Sequence, residues 1–291
     1  MKKQYADLML FMVAIIWGGG FIGTDAALNT FEPFTILMLR FGIAFFIMLI
    51  FGFNKMKKAS GKDIKNGCVA GIFLFLAFVF QTFGLKYSTP SKNAFLTAVN
   101  VILVPYVMWI MTKKAPKKKE ILSSFLCVIG IACLTLKEDV FFLSFGDVLS
   151  LICALFYAFH IVSLGKFSKE SDVSVINAVQ MGVAFIFSSI SFPMFETFPQ
   201  HISMEAWGSI LFIAIFSTCI AFGMQTIAQQ YTSANAASLI MCTESLFATI
   251  FSVILLHEVL TSMMIIGGSF IFIAVVLVEL DFTKFSLFID K

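Results

Sequence analysis

The chain has 291 residues, 59% of them hydrophobic and 13% charged, with a mean hydropathy of +0.97. That leaves too little polar surface to coat a soluble globule, and 37 phenylalanines suit a hydrocarbon solvent better than water. The net charge of +3 comes from lysines in short connections, without the stacking aromatics or fold signatures of nucleic-acid binding, so no nucleic-acid partner is expected.

A run of about 20 apolar residues crosses a bilayer as a helix. By that measure the chain holds ten candidate spans, at roughly 5–23, 33–53, 65–85, 91–112, 120–136, 146–165, 173–195, 206–228, 233–256 and 262–280. The first has Lys2 and Lys3 before it, as a signal peptide would, but shows no small-x-small cleavage site, and we read it as a retained span. Charged or breaker-rich connections lie at 54–65, 113–120 and 165–172, and no linker is long enough for another domain. Cys68, Cys127, Cys133, Cys153, Cys219 and Cys242 all fall inside apolar runs without metal-ligand spacing and read as small packing residues.

With ten spans and the N-terminus inside, sixteen lysines fall on the inner side and only Lys86, Lys92 and Lys137 on the outer side. This bias follows the positive-inside rule, predicts a multi-pass protein of the cytoplasmic membrane, and puts both termini in the cytoplasm.

The chain also resembles itself. A shift of 140 residues lays Asp7 on Asp147, Trp17 on Tyr157, Gly42 on Gly182 and Phe45 on Phe185. A shift of 144 then lays "QTFGLKYST" (81–89) on "QTIAQQYTS" (225–233), so that Gln81 matches Gln225. Five spans per copy is an odd number, so the second copy enters from the opposite face. The expected fold is therefore an all-α polytopic membrane protein whose ten transmembrane helices form two inverted five-helix repeats, residues 1–138 and 139–291. The same shift sets Lys113 and Lys114 on His257 and Glu258, opposite charge patterns on opposite faces.

Glu244 lies near the middle of the ninth candidate span, and the 144 shift pairs it with Asn100. An ionisable group at that depth costs on the order of 3 kcal/mol on insertion scales, so it faces either a polar partner or a wet cavity. Arg40, the only arginine, lies about seven residues into the second span and pairs with Gln180 under the 140 shift. In inverted-repeat carriers the substrate site lies near the midplane where the halves meet. Glu244, Asn100, Gln81 and Gln225 are thus the expected polar floor of a central cavity, with Arg40 as a substrate contact or a structural cation. Trp17 and Tyr157 are expected to line it or to fill the core. His160, in the sixth span, reads as a proton site or a packing residue. Gly19 with Gly23 and Gly67 with Gly71 have the small-xxx-small spacing of close helix contacts.

The segments "IIWGGGFIGTDAAL" (15–28), "LRFGIA" (39–44), "LKYSTPSKNAFLTAVNVILVP" (85–105), "GDVLSLICALFYAF" (146–159) and the stretch 231–277, in this order and spacing, resemble the drug/metabolite transporter superfamily, specifically proteins built from two EamA-type repeats. The resemblance covers essentially the whole chain. It implies a ten-helix exporter or facilitator of small metabolites, amino acids or drugs, with the third, fourth, eighth and ninth helices near the pathway and the fifth and tenth peripheral. The chain departs from the pattern in two places. Ser245 stands where a proline often follows the glutamate of the ninth span, and Lys113 with Lys114 replace an acidic residue that often closes the fourth.

Enzymatic readings find no support in the motifs. "HEVLT" (257–261) starts like a zinc-protease helix but has Thr261 in place of the second histidine, and no GxSxG or P-loop occurs. We expect no enzyme activity, no cofactor and no metal. The expected partners are a small-molecule substrate, the lipid bilayer and candidate coupling protons, with a monomer admissible. The mechanism expected is alternating access, with export of a small metabolite such as an amino acid or a drug-like amphiphile, and an uncoupled facilitator or a non-transporting membrane scaffold as the alternatives.

Overall fold

The computed structural model describes residues 1–88, 90–113, 115–135, 144–255 and 261–279. The charges at Lys114, Lys137, His257, Glu258, Lys284 and Lys291, most of the "HEVLT" segment, and the 138/139 boundary lie outside the described residues. Among the described residues the chain is all helix: α1 (Lys3–Leu28), α2 (Pro33–Met56), α3 (Gly61–Lys86), α4 (Pro90–Ala98), α5 (Asn100–Thr112), α6 (Lys118–Thr135), α7 (Phe145–Phe167), α8 (Val173–Phe195), α9 (Met204–Phe212), a π-helical stretch (Ile213–Ile220), α10 (Ala221–Gln229), α11 (Ala234–Met241), α12 (Glu244–Leu255) and α13 (Ser262–Glu279).

Polar caps start these helices where the apolar runs begin. Ser60 with Asp63, and Ser144 with Asp147, form reciprocal capping boxes at α3 and α7. Asp172, Ser203 and Ser233 cap α8, α9 and α11 through their side-chain oxygens. The start of α2 is held from another element: the Glu196 carboxylate accepts from the Phe34 and Thr35 amides at 2.7 and 2.8 Å and from the Thr35 hydroxyl at 2.8 Å.

Among the described residues, eight helical stretches are long and apolar enough to cross a membrane, including Lys3–Leu28, Asn93–Thr112, Met204–Gln229 and Ala234–Phe251. The helices expected as the fifth and tenth spans, α6 and α13, pack on each other, with Gly130 close against the Gly267 carbonyl and Ile271. The polarity is that of a protein dissolved in lipid. Phe51, Ile50, Met194 and Phe195 are exposed, while Arg40, Asn100, Asp147, His160, Gln180, Gln225 and Glu244 are buried.

α2 and α8 pack along their lengths and run antiparallel. Phe34 stacks on Phe195 with ring centroids 5.7 Å apart, and Gly52 meets Ser174 at the other end. Between them Gly42 receives the Phe185 ring and Gly182 receives the Phe45 ring; a Cβ at either glycine would sit 2.9 Å from the ring it faces. These two contacts exchange under the 140-residue shift. α3 runs antiparallel to α7, with Phe80 stacked on Phe156 and Phe73 on Phe159. α1 packs on α10 and α12. The Gly67–Gly71 pair lets α3 lie on Val179 and Val183 of α8, and Gly23 does the same for α1 against Ile213.

Three expected spans differ in detail from continuous helices. The fourth breaks at Val99 between α4 and α5, and the ninth breaks at Cys242 and Thr243 between α11 and α12. Tight bonds from the Thr243, Ser245 and Leu246 amides to carbonyls three residues back replace the regular ladder there. The eighth span is interrupted by the π-helical stretch, within which Thr218 Oγ1 donates to Ile213 O at 2.8 Å.

Candidate functional site

Between the helices lies a partly open cavity lined from α1, α2, α3, α4, α5, α7, the π-helical stretch, α10, α11 and α12. Seven of the eight residues singled out from the sequence line it: Trp17 from α1, Arg40 from α2, Gln81 from α3, Asn100 from α5, Tyr157 from α7, Gln225 from α10 and Glu244 from α12. Neither α6 nor α13 contributes a lining residue. His160 sits elsewhere. Its ring is fully buried, with Nε2 3.0 Å from Gln180 Oε1 and its plane steeply inclined to the Phe222 ring 5.7 Å away.

The two helix breaks bring the polar pair together. Asn100 is the first residue of α5 and Glu244 the first of α12, so each opens a half-helix at the cavity wall. Asn100 Nδ2 turns back to Thr97 O at 2.9 Å. Glu244 is 8% exposed, and among the described residues no group hydrogen-bonds its carboxyl.

Arg40 is 4% exposed. Its Nε donates to Thr218 Oγ1 at 2.9 Å, and its guanidinium carbon lies 4.3 Å from the centroid of the Phe78 ring. Among the described residues no carboxylate forms an ion pair with it, so its remaining donors are available to a solute. On the facing side Tyr157 OH donates to Gln81 Oε1 at 3.0 Å. Trp17 Nε1 donates to Ser217 O at 2.9 Å, and its ring is tilted against Phe222 with centroids 5.1 Å apart.

Other lining residues were not foreseen. Thr97, Ser217 and Ser238 add hydroxyls, and Phe78 supplies the ring under Arg40. Thr97 lies three residues before Asn100, the spacing that puts two side chains on one helical face, so a signal for it existed. Ser217 carried none, because its orientation depends on the π-helical turn.

An all-helical bundle with polar side chains gathered round a cavity between the helices and apolar ones turned outward defines a multi-pass membrane protein with a polar internal cavity. The chain belongs to the EamA-like transporter family, whose model matches it twice, over residues 4–136 and 144–280. An uncharacterized transporter of Archaeoglobus fulgidus is 34% identical over 279 residues, 96% of this chain and 87% of that one. The uncharacterized transporter YyaM of Bacillus subtilis is 27% identical over 76% of each chain. A solved crystal structure at 15% identity superposes with a TM-score of 0.81 over 96% of this chain and 97% of that chain, a likeness of fold.

Proposed function

We propose that this transporter exports a small amphiphilic metabolite, such as an amino acid, by alternating access of two inverted five-helix halves, 1–138 and 139–291. The observation that carries the reading is the pair Arg40 and Glu244. One is a base and the other an acid, both are buried and line one cavity, and among the described residues neither has an ionic partner. Burying such groups unpaired is costly, and a solute that brings the complementary charges repays the cost on binding. A carboxylate would meet Arg40, an ammonium group or a proton would meet Glu244, and Trp17, Phe78 and Tyr157 would pack an apolar side chain.

The exchanged contacts Gly42–Phe185 and Gly182–Phe45 on antiparallel helices support the inverted arrangement, because a helix that packs antiparallel on its own copy implies that the copies run oppositely. α6 and α13 complete ten spans in this reading. The lysine distribution supports cytoplasmic termini in the cytoplasmic membrane.

The test is flux from proteoliposomes loaded with a mixture of proteinogenic amino acids, read by chromatography with and without an imposed pH gradient. Glu244→Gln, which keeps shape and removes the titratable group, is expected to abolish any response to the gradient while the protein still inserts and folds. Flux that only ever runs down the solute's own gradient identifies the uncoupled facilitator. Gradient-driven uphill flux that survives in Glu244→Gln removes Glu244 from the coupling role.

A further inference from the structure

The internal repeat makes pairs of positions equivalent, and the two halves treat them differently. Where α3 ends and α7 begins, Ser88 Oγ donates to Asp147 Oδ1 at 3.0 Å, and Asp147 is fully buried. The contact is tight, since a Cβ on Gly146 would sit 2.7 Å from the Tyr87 backbone. The 144 and 140 shifts carry Ser88 onto Thr232 and Asp147 onto Asp7, where α10 ends and α1 begins at the opposite face of the bundle. There the equivalent bond is open. Thr232 Oγ1 and Asp7 Oδ1 are both shut off from solvent without a hydrogen-bond partner, while the other Asp7 oxygen holds Lys3 at 3.3 Å.

The same asymmetry recurs at the cavity. Tyr157 OH bonds Gln81 Oε1, and the shifts carry this pair onto Trp17 and Gln225. Trp17 instead donates to Ser217 O in the π-helical stretch. Both amide atoms of Gln225 are buried and unpartnered. A buried polar group without a partner carries a desolvation penalty, so each of these sites is a bond waiting to be made.

Loss of function by drift does not explain the chemistry that is kept. The donor hydroxyl of Ser88 becomes the donor hydroxyl of Thr232, and the donor O–H of Tyr157 becomes the donor N–H of Trp17. The acceptors stay Asp and Gln. Both open pairs therefore retain one donor and one acceptor.

We infer that these are two exchangeable sets of latches: Ser88–Asp147 with Tyr157–Gln81 closes the face where α3 ends, and Asp7–Thr232 with Trp17–Gln225 closes the face where α10 ends in the opposite-facing state. The inference rests on the carrier reading above and adds the residues that hold each state. When the first set opens, the second forms, so buried polar groups are satisfied in alternation and the two states stay close in free energy. Ser217 O, released by Trp17, lies in the π-helical turn, a local departure from the regular ladder that can take up such a change.

The test uses the full chain in proteoliposomes with Cys242, which lines the cavity, as the one remaining thiol and the other five cysteines changed to alanine. A membrane-impermeant methanethiosulfonate reagent is applied to either face, and the ratio of labelling rates is read by mass spectrometry, with melting temperature as the control for folding. Ser88→Ala is expected to raise labelling from the face where α3 ends by roughly threefold to tenfold, the population shift set by one net hydrogen bond. Thr232→Val is expected to lower it by a similar factor, although it removes a hydroxyl that has no partner in the structure. Shifts in the same direction, or an unmoved ratio in both variants, overturn the latches; with amino-acid flux intact the carrier reading then stands alone. Opposite shifts without flux of any solute uphold the latches and remove the carrier reading. Where the reagent reaches Cys242 from neither face, Asp7→Cys combined with Thr232→Cys on the same background is expected to cross-link under copper-phenanthroline, and absence of that cross-link overturns the inference.

Discussion

Replacing Arg40 with methionine separates a cation kept for binding from one kept for folding. At mid-span a positive charge costs on the order of 3 kcal/mol on insertion scales. Two contacts offset that cost: the bond to Thr218, about 1.5–3 kcal/mol for a charged donor, and the stack on Phe78, about 2 kcal/mol in a desolvated site. Thr218 Oγ1 keeps its own bond to Ile213 O after the change, so no orphaned hydroxyl is left behind. The terms nearly cancel, and Arg40→Met is expected to alter unfolding free energy by less than about 2 kcal/mol, or less than about 8 °C in Tm by the scaling for domains of similar length. Flux of a carboxylate-bearing solute should nevertheless fall about 100-fold, the loss expected for one charge-assisted contact of about 3 kcal/mol. The assays are thermal unfolding in detergent and efflux from proteoliposomes, on the same preparations. A Tm lower by well over about 10 °C with flux retained would refute the reasoning, since it would mean that the fold, and not the solute, consumes the charge.

Two further predictions concern packing and the surface. At Gly71 a Cβ would lie 2.8 Å from Val183 Cβ and 3.0 Å from the Gln180 backbone, so Gly71→Ala should destabilise by about 1–3 kcal/mol, whereas nothing lies within 4 Å of a Cβ at Gly208 and Gly208→Ala should stabilise by up to about 1 kcal/mol; opposite Tm shifts check this. Between the spans, partial burial pushes the Asp172 carboxyl up, but the Lys55 ammonium at 3.1 Å and the Ser174 amide outweigh it and hold the group below the usual carboxylate range. A depressed folded-state value contributes stability at neutral pH, present above the unfolded value near 3.9 and lost as pH falls through the folded one. Being largely exposed, the pair contributes at most about 1 kcal/mol, and Asp172→Ala, which also removes a cap, should cost about 1–2 kcal/mol at pH 7 and less near pH 3. An equal loss at both pH values would assign the whole effect to the cap's shape.

The lengths of the spans were legible because bilayer thickness fixes them, and α8 occupies the run expected for it, 173–195. The gathering of Arg40, Asn100, Gln81, Gln225, Trp17, Tyr157 and Glu244 around one cavity followed from two sequence offsets and the cost of burying charge. The helix breaks were not legible. Val99 and the Cys242–Thr243 step carry neither glycine nor proline, and Pro105 lies inside the continuous part of α5; instead side chains at the breaks bond carbonyls three residues back, Asn100 Nδ2 to Thr97 O and Thr243 Oγ1 to Ile240 O, a local competition with the helix ladder that hydropathy does not register. The π-helical turn escaped for the same reason, and with it Ser217. His160 lies about 60° round α7 from Tyr157, enough to turn it from the cavity toward Gln180.

What the halves share and where they part tell different things about the molecule. Close packing is shared: Gly42 and Gly182 each admit a phenylalanine from the other copy, and a change at one site would spoil a contact that the other still makes. Charge is not shared. Asn100 faces the cavity where the second copy has Glu244, and Arg40 faces it where the second copy has Gln180, which is taken up by His160 instead. Two identical halves would carry each of these charged groups twice or not at all, and like charges in one desolvated space repel each other and any zwitterion's matching end. By placing the cation in the first copy and the acid in the second, the chain breaks the symmetry of charge and gives the cavity a direction, while the reciprocal packing of Gly42 on Phe185 and Gly182 on Phe45 stays in place. Exchanging the two, with Arg40→Gln and Gln180→Arg together, would keep the same charges yet move the cation to the His160 site outside the cavity, and the loss of flux expected from it would come from position alone.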